Sequence, residues 1–195
     1  MAVFLALGDE SVLGFGATSA KNGFVGRIHE QLARRLPALV LETVTAPLAA
    51  DLLARVRARG VRRSTVIVTL AIGAHDVVAG TPPQQFAADI DALVATLVAQ
   101  TPLCVVHLLP DLGLTPRFRN TSRARAIRAR VDELNAILAD ACRRHGATAA
   151  DLGLWSKAAY VDPRLYAGDG HNLSDVGHAF WAQLTWPAFQ RRLGC

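Results

Sequence analysis

Short apolar segments alternate with longer segments of helical periodicity along the chain. The apolar segments are hydrophobic almost throughout rather than at every second position, which is typical of strands in a parallel sheet covered on both faces. They lie at residues 2–8, 38–44, 64–73, 102–109 and 147–152. Five other segments carry apolar residues at three- and four-residue spacing, which predicts amphipathic helices. These segments are residues 22–36, 48–59, 83–100, 122–144 and 174–192.

This alternation predicts an α/β fold. Parallel strands joined by right-handed crossovers place helices on both faces of a sheet, so we expect a three-layer α/β/α sandwich with a five-stranded parallel sheet. The chain of 195 residues is long enough for one sizeable core, and we predict a single domain over residues 1–195. Because ligands bind beyond the carboxyl ends of parallel strands, the loops after the strands are expected to form the site. These loops begin near Gly8, Thr43, Gly73, Pro110 and Leu152.

Composition and charge narrow the function classes. The net charge of +5 comes without aromatic residues interleaved among the basic ones, so we interpret it as a solvated surface and expect no nucleic-acid partner. The three cysteines lack Cys-x-x-Cys spacing, so neither a disulfide framework nor a zinc site is indicated. The N-terminal apolar run is too short for a signal peptide or a membrane span. We therefore expect a cytoplasmic protein that acts on a small-molecule substrate. We expect neither a cofactor nor a membrane partner.

Two glycine-containing motifs follow predicted strands. The segment LALGDESVLGFGA resembles the first block of the SGNH/GDSL hydrolase family, in which Gly-Asp-Ser is followed by Gly. Gly8 and Asp9 match this block, and Glu10 stands at the position of the nucleophilic serine. The segment VTLAIGAHDVVAG resembles the third block, Gly-x-Asn-Asp, through Gly73 and Asp76. In this block, His75 stands at the position of the family's oxyanion-hole asparagine.

Two further segments complete the resemblance. DGHNLSDVGHAFWA resembles the last block, Asp-x-x-His followed by Ser-x-x-Gly-His, and Asn172 stands at the position of the catalytic histidine. The weakest resemblance is that of the segment TAPLAADLLARV to the second block. It places Ala46 at the position of the glycine that forms part of the family's oxyanion hole. The blocks occur in the family's order over nearly the whole chain. The resemblance therefore implies a flavodoxin-like SGNH hydrolase fold.

The four signature positions carry Glu10, Ala46, His75 and Asn172 in place of serine, glycine, asparagine and histidine. A serine hydrolase needs a hydroxyl nucleophile, a base that takes its proton and donors to the oxyanion. These residues do not supply those groups in their usual form. The resemblance therefore implies the scaffold of a hydrolase with a substituted catalytic set.

Glu10 and His75 together suit proton transfer without a covalent step. We predict that they act as general base and general acid, and that Asp169 and Asn172 are catalytic residues that orient the substrate or His75. The expected reaction is an isomerisation, elimination or cyclisation of a small oxygenated or acyl-like metabolite, without a serine nucleophile.

Five other residues are expected to bind the substrate. Arg117 opens an arginine-rich segment that can bind a carboxylate or phosphate, or can simply face solvent. The others lie in or beside the family motifs. The set comprises Asp9, Ser11, Ala46, Arg117 and His171.

Other interpretations remain open at this point. The protein could be a pseudo-hydrolase that binds a small ligand without catalysis. It could be an esterase that uses Ser11 with His171 as its base, or one in which the Glu10 carboxylate is the nucleophile. A metal site at Asp9, Glu10, His75 and Asp169 is less favoured, because these ligands come from separate loops. The oligomeric state is left open.

Overall fold

Five parallel strands form the central sheet, in the order β2-β1-β3-β4-β5. The computed structural model describes residues 1–193, and Cys195 lies outside the described residues. The strands are β1 Val3–Gly8, β2 Val40–Thr45, β3 Thr65–Ala71, β4 Leu103–His107 and β5 Thr148–Ala150. Each of the five apolar segments therefore contains a strand or its larger part, and the predicted parallel sheet is confirmed.

Helices lie on both faces of this sheet, and the predicted α/β fold is confirmed. Five of them match the predicted segments with ends shifted by at most three residues. The helices are α1 Phe24–Ala33, α2 Ala49–Arg59, α3 Ala74–Ala79, α4 Pro83–Gln100, α5 Ala124–His145, α6 Gly153–Val161 and α7 Asp175–Leu193. Helices α3 and α6 were not predicted. None of the helices among the described residues is long and apolar enough to cross a membrane.

The core consists of two apolar layers, one on each face of the sheet. Leu5 and Leu7 of β1 face the layer that contains α2, α4 and α5, whereas Phe4 and Ala6 face the layer of α1, α6 and α7. Successive strand side chains point to opposite faces, so burial on both faces requires an unbroken apolar strand. This is the physical reason for the continuous apolar segments in the sequence.

The end of β1 is the point at which the fold positions the candidate site. Gly8 pairs with the neighbouring strand so closely that a Cβ atom there would lie 2.0 Å from the carbonyl oxygen of Ala71. Only glycine allows this approach of two backbones. The chain then leaves the sheet directly into a single 3-10 turn, Glu10–Leu13, which carries two of the predicted site residues.

Candidate active site

Glu10 and His75 lie against each other at the carboxyl end of the sheet. Glu10 begins the turn after β1, and His75 lies in the first turn of α3, just after β3. Since β1 and β3 are neighbours in the sheet, their loops converge. The Nε2 atom of His75 lies 3.0 and 2.9 Å from the two carboxylate oxygens of Glu10. Their side chains are 40% and 35% exposed, so the pair is accessible to a ligand.

The pair opens onto a cavity of about 220 Å³ whose walls are mostly aliphatic and aromatic. A cavity of about 150 Å³ can hold benzene, so this one has room for a ring with a short substituent. The loops after β1, β3 and β4 contribute to it, together with the segment before α7. Its apolar walls include Phe15, Ile72, Val78, Leu109, Leu112, Phe118, Trp155, Leu173 and Trp181.

Asp9 is a buried carboxyl group on the wall of this cavity. Its Oδ1 accepts the backbone N–H of Ser11 at 3.0 Å, which fixes the start of the turn. Burial raises the pKa of Asp9 above its ordinary value, although the hydrogen bonds from Ser11 lower it and the charge of Glu10 adds to the increase. Asp9 thus holds the turn that presents Glu10.

Asp9 should make the stability of the protein depend on pH. Because its pKa in the folded state is raised above 3.8, its contribution to stability is present below that pH and is lost as the pH rises through the raised value. We expect the wild type to lose unfolding free energy relative to Asp9→Asn as the pH rises from 3.8 through the raised pKa of Asp9. Urea unfolding of both proteins over this range measures the difference.

Asp169→Asn serves as a control, because the expected change of stability with pH has the opposite sign at this residue. Hydrogen bonds hold the pKa of Asp169 below 3.8, so this carboxylate contributes stability above that pH and loses it as the pH falls. If the free energies of unfolding of the wild type and of Asp9→Asn differed by the same amount at all pH values, the expected increase in the pKa of Asp9 on burial would be contradicted.

Asp169 lies in the turn that precedes α7, and its partners are all local. Its Oδ1 accepts the backbone N–H groups of His171 and Asn172 at 2.8 and 2.9 Å. Its Oδ2 accepts the side-chain amide of Asn172 at 2.7 Å. These hydrogen bonds, first that of the His171 backbone, lower the pKa of Asp169. His171 and Asn172 line the cavity, whereas Asp169 lies outside it and faces a second pocket.

The comparisons with known proteins agree with this fold. The model of the GDSL-like lipase/acylhydrolase family matches residues 6–180. The chain belongs to this family. Comparison with curated proteins gave no match.

Several solved structures share the architecture of this GDSL-family chain. LAE5, an α/β hydrolase from the metagenome of Lake Arreo, is 21% identical, with a TM-score of 0.72 over 100% of this chain and 95% of that chain. The acetylxylan esterase Axe2 of Geobacillus stearothermophilus is 16% identical, with a TM-score of 0.74 over 100% and 94%. The esterase EstA of Pseudoalteromonas sp. is 15% identical, with a TM-score of 0.74 over 100% of both chains. These likenesses show the shared fold.

The structure of the GDSL-family chain places Ala46 away from the cavity. Its backbone N–H donates to the carbonyl oxygen of Gly8 at 2.9 Å, so this group is not available to a substrate, contrary to the expected binding role. Asp76, also from a family motif, is buried and accepts the N–H of Ala49 at 3.1 Å and the hydroxyl of Thr81 at 2.9 Å. It fixes α3, which carries His75, against the start of α2.

No histidine contacts the Ser11 hydroxyl through a hydrogen bond within residues 1–193. His75 is bonded to Glu10, and the Nε2 atom of His171 faces Arg117 at 3.4 Å. The same part of the chain contains no group of three His, Cys, Asp or Glu side chains placed to hold a metal ion. Ser11 itself lines the cavity.

From the sequence, His107 was expected to approach the site, but without a role or a partner; in the structure it forms the polar floor of the cavity. His107, at the end of β4, accepts the indole N–H of Trp181 through Nδ1 at 2.9 Å. Its Nε2–H must then donate to the hydroxyl of Thr69, at 2.7 Å. Burial lowers the pKa of His107 to about 3, so the ring is neutral. The only available signal was its position at the end of a strand.

Proposed function

We propose that this protein is an enzyme in which Glu10 and His75 carry out general acid–base catalysis on a small, largely apolar molecule that bears a carbonyl or hydroxyl group. One observation carries the proposal: both oxygens of Glu10 lie within 3.0 Å of His75 Nε2 at an accessible cavity. A general base must lie within hydrogen-bond reach of the proton that it moves. Proton transfer is the chemistry that this pair supports best.

Each group has a defined part in the proposed reaction. Glu10 takes a proton from a carbon beside a carbonyl, or from a hydroxyl, and His75 returns a proton to the developing oxygen anion or to a leaving hydroxyl. Glu10 then gives its proton to solvent and His75 regains one from solvent, which restores both groups. The substrate is never bonded to the enzyme. Such a cycle supports isomerisation, elimination or cyclisation. The apolar walls favour it, because charges act more strongly beside low-dielectric surfaces than in bulk water.

A serine esterase mechanism is less well supported by the same site. The hydroxyl of Ser11 has no histidine within hydrogen-bond reach among the described residues, and the N–H of Ala46 is bonded to Gly8. A serine nucleophile requires an adjacent base and oxyanion donors. We therefore place the reacting groups at Glu10 and His75.

Deuterium exchange tests the proposal directly. The protein is incubated in D₂O with a panel of small apolar ketones and keto or hydroxy acids, and proton NMR follows the loss of the hydrogen beside each carbonyl. We expect catalysed exchange with at least one compound, because Glu10 must release the abstracted proton to solvent. In parallel, a serine-reactive phosphonate is expected to leave the protein unlabelled in mass spectrometry. Labelling at Ser11 without exchange would instead support the esterase interpretation.

A further inference from the structure

Two pockets meet at the side chains of Arg117 and His171. The first is the cavity that Glu10 and His75 open onto. The second lies outside it and is formed by Pro116, Arg117, Asp169, Gly170 and His171. Arg117 and His171 line both, and their side chains are 3.4 Å apart between Nη1 and Nε2. A ligand that spans the inner cavity and the second pocket would therefore contact both groups.

Arg117 is held in place by an aromatic ring rather than by an acid. Its guanidinium lies over the ring of Phe118, 5.3 Å from the centroid, and Phe118 is a buried wall residue of the inner cavity. Within the part of the chain that the structure describes, Arg117 has no ion-pair partner, whereas Arg128 and Arg164 pair with Asp111 and Asp162. The donors of Arg117 that do not face His171 are thus available to an anion at the mouth of the cavity.

His171 lies beside Arg117 on the wall of both pockets. Its Nε2 faces the guanidinium, which can only donate, so Nε2 is the acceptor of this contact. The backbone of His171 is fixed by the carboxylate of Asp169. That carboxylate also accepts two hydrogen bonds from Asn172. It stays anionic, but it lines only the second pocket and not the inner cavity.

We propose that Arg117 and His171 form a subsite for a carboxylate of the substrate, so that the enzyme acts on a carboxylic acid whose apolar part, with its reactive carbonyl or hydroxyl group, occupies the inner cavity. This inference rests on the proposed function for the position of the reacting atoms. The guanidinium offers one positive charge at the mouth of the inner cavity, and its planar fork fits the two oxygens of a carboxylate. The inner cavity takes the ring-sized apolar part.

A binding experiment tests the subsite without requiring turnover. Trp155 and Trp181 line the inner cavity, so tryptophan fluorescence reports occupancy. Phenylacetate, the uncharged phenylacetamide and inorganic phosphate are titrated into the wild type. We expect phenylacetate to bind at least about tenfold more tightly than phenylacetamide, which corresponds to about 1.4 kcal/mol, and more tightly than phosphate.

Two arginine variants provide a matched comparison. Arg117→Gln is expected to weaken phenylacetate binding about tenfold and to leave phenylacetamide unaffected. Arg119→Gln, two residues away, should change neither, because Arg119 donates to the carbonyl oxygen of Tyr160 and lines neither pocket. Equal affinity for acid and amide, equal effects of the two variants, or tighter binding of phosphate would each overturn the carboxylate subsite.

Failure of the subsite and failure of the proposed function give different results. Acid-selective binding that depends on Arg117, without deuterium exchange on any compound, would support the subsite and contradict the chemistry at Glu10. Exchange on ketones without preference for an acid would support the chemistry and overturn the subsite.

Discussion

Replacement of Glu10 by Gln is expected to lower kcat by about 10²–10⁴-fold, the contribution typical of a positioned general base. Glutamine has the same shape, and its carbonyl oxygen still accepts a hydrogen bond from His75, so the loop should keep its conformation. What the variant loses is the capacity to take up a proton. The rate of deuterium exchange, on a compound that the wild type exchanges, measures the effect.

Ser11→Ala is the matched control for Glu10→Gln. Both residues belong to the same 3-10 turn and line the same cavity, but only Glu10 is bonded to His75. We expect Ser11→Ala to lower the rate by much less than Glu10→Gln, because it removes a group on the cavity wall and not the proton acceptor. The reverse pattern, with activity lost in Ser11→Ala and retained in Glu10→Gln, would identify a serine nucleophile and refute the acid–base mechanism.

Replacement of Trp155 by Ala is expected to lower the free energy of unfolding by about 3–5 kcal/mol. Trp155 is 2% exposed and connects α6 to α7 by donating its indole N–H to the carbonyl oxygen of Gly177 at 3.2 Å. Its ring also meets Tyr166 and Trp181 edge to face. Alanine would remove these contacts and leave a void beside the cavity. Urea unfolding with both proteins at one pH measures the loss.

The adjacent Leu154 offers the control for Trp155. Leu154 lies on the same helix but is 64% exposed, so Leu154→Ala should change stability by less than about 0.5 kcal/mol. A comparable loss in both variants would contradict the expectation that the burial of Trp155 is what stabilises this part of the fold.

Much of the fold follows from the sequence because burial on both sheet faces leaves a continuous apolar signal. This signal located all five strands, and the amphipathic spacing located five helices. Helix α3 was missed because its six residues are too few for a periodic pattern. Helix α6 was missed because Leu154, Tyr160 and Val161 are exposed although apolar, so no apolar stripe distinguishes its buried side.

The sequence predicted the contacts of only those site residues that directly follow a strand. Glu10 and His75 follow neighbouring strands, and the sequence alone suggested their chemistry as a pair. The partners of Asp169 could not be foreseen, because they depend on the reversal of the chain between Tyr166 and Leu173, which pair as an isolated bridge. The pocket that Arg117 shares with His171 likewise arises from two segments distant in sequence.

The neutral histidine beneath the cavity also limits the acid tolerance of the folded state. Folding holds the pKa of His107 at about 3, against an ordinary value of 6.5. As the pH falls between these two values, His107 binds a proton in the unfolded chain but not in the folded chain, so acidification favours unfolding. His178, whose pKa burial also lowers, acts in the same direction. His107, which forms the floor of the cavity, thus makes the folded state more stable near neutral pH than at acidic pH.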